Sequence, residues 1–250
     1  EDKFDWNLST TPAKTLMDDH TELTNGSILL LPSWKYLSKV AEDSGVDCGL
    51  IKTGSPACFQ NSTLSKVILP DDCNDFGNWF CGSNVVELEL PDSITDYKGY
   101  SVSGANKLQT LKLSAGAPDL SNFKAQGNPA LREIIFPEGI EKIGDTTFAG
   151  NIKLKTVKLP STLTDIGRSA FASSAIESLE IPANVKEIDS SNHSLAGMSK
   201  LKTLVLNDGL EKIDSYSFSS LGALENVYIP KSVTEMGTGI FSGLDNLENV

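Results

Sequence analysis

Residues 154–171 read LKTVKLPSTLTDIGRSAF, and the first seven of them follow a frame that recurs along the chain. Apolar residues hold positions one, four and six of the frame, and proline holds position seven, as also in residues 131–137 and 224–230. The frame begins at residues 64, 85, 108, 131, 154, 176, 201 and 224, and starts a ninth time at residue 247. A period of 21 to 25 residues sustained over most of the chain is typical of repeat proteins, so we predict a solenoid.

The second half of each unit repeats as well. In the unit that starts at Leu154, apolar residues follow at Leu163 and Ile166, then Gly167 and Phe171. Both apolar positions are filled in the other complete units, and the phenylalanine recurs as Phe148, Phe218 and Phe241. One unit cannot bury these side chains by itself, whereas stacked units share a continuous core. Glycine or aspartate after the second apolar residue is interpreted as a tight turn.

The frame also predicts secondary structure. Its apolar residues alternate with polar ones, which indicates a short strand, and strands of successive units then stack in parallel. Proline removes a ladder donor, so it fits the end of the strand. We predict a β-rich α/β solenoid, a right-handed curved coil with a parallel sheet on its concave face and short 3₁₀ or irregular turns on its convex face.

The opening Leu-x-x-Leu-x-Leu resembles leucine-rich repeats, and the continuation from Pro160 to Phe171 is similar to the BspA-like subclass of cell-surface proteins. The resemblance covers residues 64–250, the predicted repeat domain. Eight residues after the opening position, where ordinary leucine-rich repeats carry an asparagine ladder, this chain has no such ladder. The units that start at Val85 and Leu108 lack the phenylalanine and the glycine, so local irregularity is expected there.

Residues 1–63 fit the frame poorly and are predicted to be an N-terminal capping region. Helices are expected over residues 13–20 and 34–44, followed by a degenerate repeat over roughly 41–63. A cap is needed because the first unit of a solenoid has an apolar face without a neighbour. A separate functional domain is the alternative. At the other end, the start of a ninth unit at Leu247 indicates that the chain stops inside a longer protein or lacks its own cap.

The four cysteines lie in the first third of the chain, without the spacing of zinc or redox sites. They favour two disulfides, Cys48–Cys58 and Cys73–Cys81, and an extracellular or cell-surface location. Four buried thiols are the alternative.

Net charge and the lengths of the apolar runs argue against nucleic acid and membrane as partners. The formal net charge is -12 with no basic stripe, so we expect no nucleic-acid binding. No apolar run is long enough to span a bilayer, so no membrane insertion is predicted in this segment, and a monomer is expected.

No catalytic motif, metal site or cofactor site is predicted. His20 follows Asp18 and Asp19, but three consecutive helical residues point in different directions, which favours a solvated face. His193 lies where other units place phenylalanine, in the one unit of 25 residues. The insertion is interpreted as bringing Leu195 or Met198 into the core and turning His193 outward.

What remains is the surface of the predicted strands. Residues two and four after each opening position should point outward, and Val205 and Tyr228 should be adjacent and exposed. They resemble a binding anchor, with cross-strand packing as the alternative. The predicted ligand-binding residues are Glu133, Ile135, Thr156, Lys158, Glu180, Thr203, Val205, Asn226 and Tyr228.

The resemblance to BspA-like proteins implies an adhesin-like role, in which a non-enzymatic module binds a protein such as a host extracellular matrix or cell-surface protein. The alternative is a passive spacer arm that presents another domain. Fold alone does not fix function.

Overall fold

The computed structural model describes residues 28–30, 65–188 and 195–250. These residues form short strands joined by turns and irregular segments, and no helix occurs among them. The strands are β1 (Ile28–Leu30), β2 (Lys66–Ile68), β3 (Glu87–Glu89), β4 (Thr110–Lys112), β5 (Asp119–Leu120), β6 (Glu133–Ile135), β7 (Lys142–Ile143), β8 (Asp165–Ile166), β9 (Ser178–Ile181), β10 (Glu187–Ile188), β11 (Thr203–Leu206), β12 (Lys212–Ile213), β13 (Asn226–Tyr228) and β14 (Glu235–Met236).

The frame strands form a parallel wall, which we call the principal wall. It contains a five-stranded sheet in the order β1-β2-β3-β4-β6 and a three-stranded sheet in the order β9-β11-β13. Register follows the sequence repeat, because Leu88 pairs with Leu111 and Leu204 pairs with Val227. The predicted in-register parallel solenoid is therefore confirmed. We call the structure of one unit a coil.

The principal wall is interrupted at one coil. Residues 155–159 form no strand, although their sequence fits the frame well. Val157 is only partly buried there, whereas the residues at the same position in the neighbouring strands, Ile134 and Leu179, are buried. The expected unbroken ladder of eight strands is thus wrong at this coil. Nothing in the local sequence explains the difference.

A second wall of two-residue strands was not predicted. It contains the sheets β5-β7-β8 and β10-β12-β14, again parallel and in register. In every strand of this wall except the last, a polar residue that points outward is followed by an apolar residue that points into the core, as Lys142 and Ile143 show in β7. The apolar positions after the proline therefore sit on short strands. Met236 is the exception, since it is 52% exposed in the last coil.

Aromatic rings fill the interior between the walls. Phe148 and Phe171 stack with ring centroids 5.6 Å apart. The units that start at Val85 and Leu108 supply Tyr100 and Phe123, two residues earlier than the regular phenylalanine, and both rings are buried. The irregularity expected in those two units is limited, because the frame strands of both pair normally. Of the two, the unit of Val85 lacks a second-wall strand and the unit of Leu108 has one.

An asparagine ladder does exist, at a position the sequence analysis did not consider. Asn128 and Asn151 are fully buried, three residues before an opening leucine. The side-chain amide of Asn151 donates to the carbonyl oxygens of Ala125 (3.0 Å) and Phe148 (2.7 Å). The ladder thus satisfies backbone groups in the turns, where buried carbonyls need partners.

The glycine after the second apolar residue has a different role from the predicted one. Gly144, Gly167 and Gly237 have no positive φ angle, so turn geometry does not require them. A Cβ atom at Gly167 would lie 2.5 Å from the backbone of Gly144 and Asp145. Glycine is therefore required by the close approach of successive coils.

The predicted Cys73–Cys81 disulfide is wrong in the structure, because both residues are free thiols. Each Sγ contacts a different carbonyl oxygen at 3.4 Å, that of Asp75 for Cys73 and that of Ser101, one coil further, for Cys81. The two thiol groups therefore contact different parts of the backbone and not each other. Cys48 and Cys58 lie outside the described residues.

The N-terminal region contributes one strand to the principal wall, since β1 pairs with β2. The predicted helices, 13–20 and 34–44, and His20 lie outside the described residues, and the division at residue 63 stays a prediction. In the 25-residue unit, Leu195 and Met198 are both buried, as expected. His193 also lies outside the part that is described.

Candidate ligand-binding face

The outward-pointing residues of the principal wall form the surface that we call the concave face. In β2, β3, β4, β6 and β13 the central residue is buried and the two flanking residues are exposed or partly exposed, because side chains alternate along a strand. In β3, for example, Leu88 is buried while Glu87 and Glu89 are exposed. Two columns of side chains therefore run along the solenoid.

The part of this face formed by β2, β3 and β4 carries charges that pair with each other. Lys66 Nζ lies 3.1 Å from Glu87 Oε2, and Lys112 forms an ion pair with Glu89. The hydrogen bond and charge of Glu89 raise the pKa of the Lys112 amine. Exposed pairs of this kind stabilise a fold only slightly, but they lower the net charge offered to a ligand.

The part formed by β9, β11 and β13 is different in character. Its six outward residues are Ser178, Glu180, Thr203, Val205, Asn226 and Tyr228, of which only Glu180 carries a charge. Val205 and Tyr228 are register partners on adjacent strands, and Tyr228 is 56% exposed. This is the adjacency that the sequence analysis predicted.

Hydrogen bonds hold the polar side chains around this pair. Asn207 Nδ2 donates to Glu180 Oε1 at 2.8 Å, and Asn249 Nδ2 donates to Asn226 Oδ1 at 2.7 Å. Asn207 and Asn249 were not among the predicted site residues. Asn249 could have been found, since it lies two residues after the opening Leu247 of the ninth frame, whereas Asn207 lies just beyond its strand and gave no signal.

The other predicted residues are exposed but do not join the same sheet. Glu133 and Ile135 lie on β6, the last strand of the five-stranded sheet, and Ile135 is 40% exposed. Thr156 and Lys158 lie on the segment that forms no strand. The predicted site is therefore divided, and the group around Val205 and Tyr228 is its continuous part.

Exposed aromatic residues occur elsewhere too. Tyr216 is 58% exposed, in a turn that follows the second wall, where a Cβ atom added at Gly239 would meet its ring. Its exposure matches that of Tyr228, but its surroundings are turns instead of a sheet.

The described residues give little support for a metal site or a membrane-spanning segment. No group of three or more His, Cys, Asp or Glu side chains there is arranged to hold a metal ion. Lys212 lies 2.8 Å from Asp214 and also pairs with Glu187 on the second wall, and these contacts raise the pKa of its amine. The pair of Lys212 with Glu187 is a structural contact between successive coils. The described residues contain no helix long and apolar enough to cross a bilayer.

Comparison with known proteins identifies the repeats. A family model described as the BspA type leucine rich repeat region matches six copies, over residues 52–126 and 121–248. No curated protein sequence matches the chain.

Solved structures resemble the fold at low sequence identity. TpLRR, a leucine-rich repeat protein of T. pallidum, has a TM-score of 0.50 and 19% identity, covering 96% of this chain and 89% of its own. A leucine-rich cell surface protein of Faecalibacterium prausnitzii has a TM-score of 0.34 and 19% identity, covering 69% and 62%. The pneumococcal vaccine antigen PcpA has a TM-score of 0.35 and 20% identity, covering 76% and 57%.

Proposed function

The chain belongs to the BspA-type leucine-rich repeat family, and from this premise we propose that it is a non-enzymatic recognition module that binds a protein ligand at the cell surface or outside the cell. Proteins of this family often mediate protein interactions or adhesion. The ligand site is the part of the concave face around Val205 and Tyr228, and the ligand is an extracellular matrix or cell-surface protein of a host.

The observation that carries this proposal is the exposure of Tyr228 beside Val205 on adjacent, register-paired strands. Aromatic residues bordered by apolar neighbours dominate the binding energy of many interfaces. Here the backbone ladder fixes both residues before any ligand arrives, so little conformational entropy is lost on binding. The low charge of the surrounding residues reduces the cost of removing water from this surface.

An enzymatic role has no support among the described residues. Catalysis by acid and base needs a pair of titratable groups directed at one reacting atom. Several carboxylates of the concave face are engaged in ion pairs or hydrogen bonds, as Glu89 is with Lys112 and Glu180 with Asn207. We therefore assign the chain to recognition. A passive spacer arm is the competing role, and cross-strand packing would then account for Val205 and Tyr228.

The test is site-specific photo-crosslinking. A photoreactive phenylalanine analogue replaces Tyr228 in one preparation and Tyr216 in a matched control, since both side chains are more than half exposed. Each preparation is incubated with a panel of purified extracellular matrix and cell-surface proteins. The proposal predicts a specific adduct from position 228 and none from position 216. Equal labelling from both positions, or none from either, would support the spacer instead.

A further inference from the structure

The segment of residues 155–159 makes no backbone hydrogen bond within the described structure, either to the coil before it or to the coil after it. Other coils are joined at the corresponding point, where Lys202 N donates to Glu177 O at 2.8 Å and Glu225 N donates to Lys202 O at 2.8 Å. Strands β6 and β9 therefore each have an unpaired edge in the middle of the solenoid. Their free amide and carbonyl groups must be hydrated by solvent.

The second wall is open at the same place. Strand β8 ends one sheet and β10 begins the next, and the two do not pair. The hydrogen bond that connects the coils nearby comes from a side chain, with Asn184 Nδ2 donating to Ser161 O at 2.8 Å. The interruption thus reaches both walls, which are formed by different parts of the repeat.

The aromatic column in the interior also changes here. Phe171 stacks on Phe148 of the preceding coil, and Phe218 lies 6.2 Å from Phe241 further along. The coil between Phe171 and Phe218 contributes the buried aliphatic side chains of Leu195 and Met198 to the core. Unbranched methionine adapts to shifts in packing better than a stacked ring does.

Backbone hydrogen bonds still connect the coil of residues 154–175 to its neighbours along the turns, on the side that neither wall occupies. Gly150 N donates to Ala172 O and Ser173 N donates to Gly197 O, both at 2.8 Å, and Ala175 N donates to Leu154 O at 3.0 Å. We infer that residues 154–175 form a hinge, at which the solenoid bends about this line of turns while the two open walls separate or close. The hinge lies between the charge-paired part of the concave face and the part that contains Tyr228, and so it changes the angle between them. This inference stands whether or not the concave face binds a protein.

Hydrogen exchange measured by mass spectrometry on the whole chain tests the open walls. Amides of residues 155–159 should exchange at least about tenfold faster than those of residues 110–113 and 203–206, since the latter belong to complete ladders. Equal protection in the three segments would overturn the inference.

Distance measurements between spin labels test the bending itself. The labels are attached through non-canonical amino acids, so that native cysteines are untouched. One pair replaces Thr110 and Ser178, three repeats apart across the hinge, and the control pair replaces Lys66 and Glu133, three repeats apart within one continuous sheet. A hinge predicts a distance distribution at least about twice as broad for the first pair, as expected of motion between rigid segments. Equally narrow distributions would contradict it.

Discussion

The side-chain oxygen of Asn151 accepts a hydrogen bond of 2.9 Å from the backbone N–H of Asn128, one coil earlier and fully buried. Asn128 makes the same contact with Ala105 N at 2.7 Å, so the ladder links three coils. Asn151→Leu should lower the free energy of unfolding by about 2 to 3 kcal/mol, because buried backbone groups would lose their partner. Urea denaturation measures this change.

The neighbouring residue provides the control for this substitution. Ile152 is 59% exposed, so Ile152→Ala should change the free energy of unfolding by less than about 0.5 kcal/mol. Equal effects of the two substitutions would show that the ladder contributes nothing specific.

The close approach of coils predicts the effect of adding one methyl group. Gly167→Ala would place a Cβ atom 2.5 Å from backbone atoms of the preceding coil, so the coils must separate there. We expect a loss of about 1 to 3 kcal/mol in unfolding free energy, as for other overpacked sites. Thermal unfolding followed by circular dichroism is the measurement.

Gly222→Ala is the matched variant, because a Cβ atom at Gly222 meets nothing within 4 Å and no positive φ angle is required there. It should leave stability unchanged or raise it slightly, since alanine restricts the unfolded chain. If both glycine variants were equally stable, the account of coil stacking at Gly167 would be wrong.

Burial raises the pKa of the Cys73 thiol to about 11. The folded protein should therefore keep this thiol protonated at pH 9.5, whereas the unfolded chain, with an ordinary cysteine pKa near 8.5, would ionise. Because the pKa is higher in the folded state, stability should decline as the pH rises above the ordinary value. Iodoacetamide at pH 9.5 should modify Cys73 slowly in buffer and rapidly in urea, as read by peptide mass spectrometry.

The same experiment tests the thiol state. Without reductant, both Cys73 and Cys81 should become alkylated in urea, because neither forms a disulfide in the structure. Protection of both residues until reductant is added would restore the pairing that the sequence suggested.

Most of the structural features that the sequence predicted correctly are those that follow from the repeat. The apolar frame depends only on which side chains face the core, so the parallel register and the adjacency of Val205 and Tyr228 followed from counting residues. Strand β1 was missed, although Leu29, Leu31 and Pro32 match positions four, six and seven of the frame, because Gly26 occupies the opening position.

Features that depend on backbone geometry between coils were beyond the sequence. The segment around Val157 fits the frame well and still forms no strand, because side-chain pattern does not report whether adjacent backbones are close enough to bond. The role of Gly167 likewise depends on a distance between coils, and the disulfide prediction failed because cysteine number does not fix the direction of each side chain. Thr156 and Lys158 were therefore correctly predicted to be exposed but wrongly placed on the sheet.

The most direct test of the central claim is the affinity of a crosslinked partner for three forms of the chain, measured by titration calorimetry. The double substitution Val205→Asp with Tyr228→Asp should weaken binding at least about thirtyfold, the loss typical of an interface hot spot. Tyr216→Asp, at a similarly exposed tyrosine outside the principal wall, should leave the affinity within about twofold of the parent. If the double variant bound its partner as tightly as the parent, with all three forms folded, the concave face would not be the recognition surface.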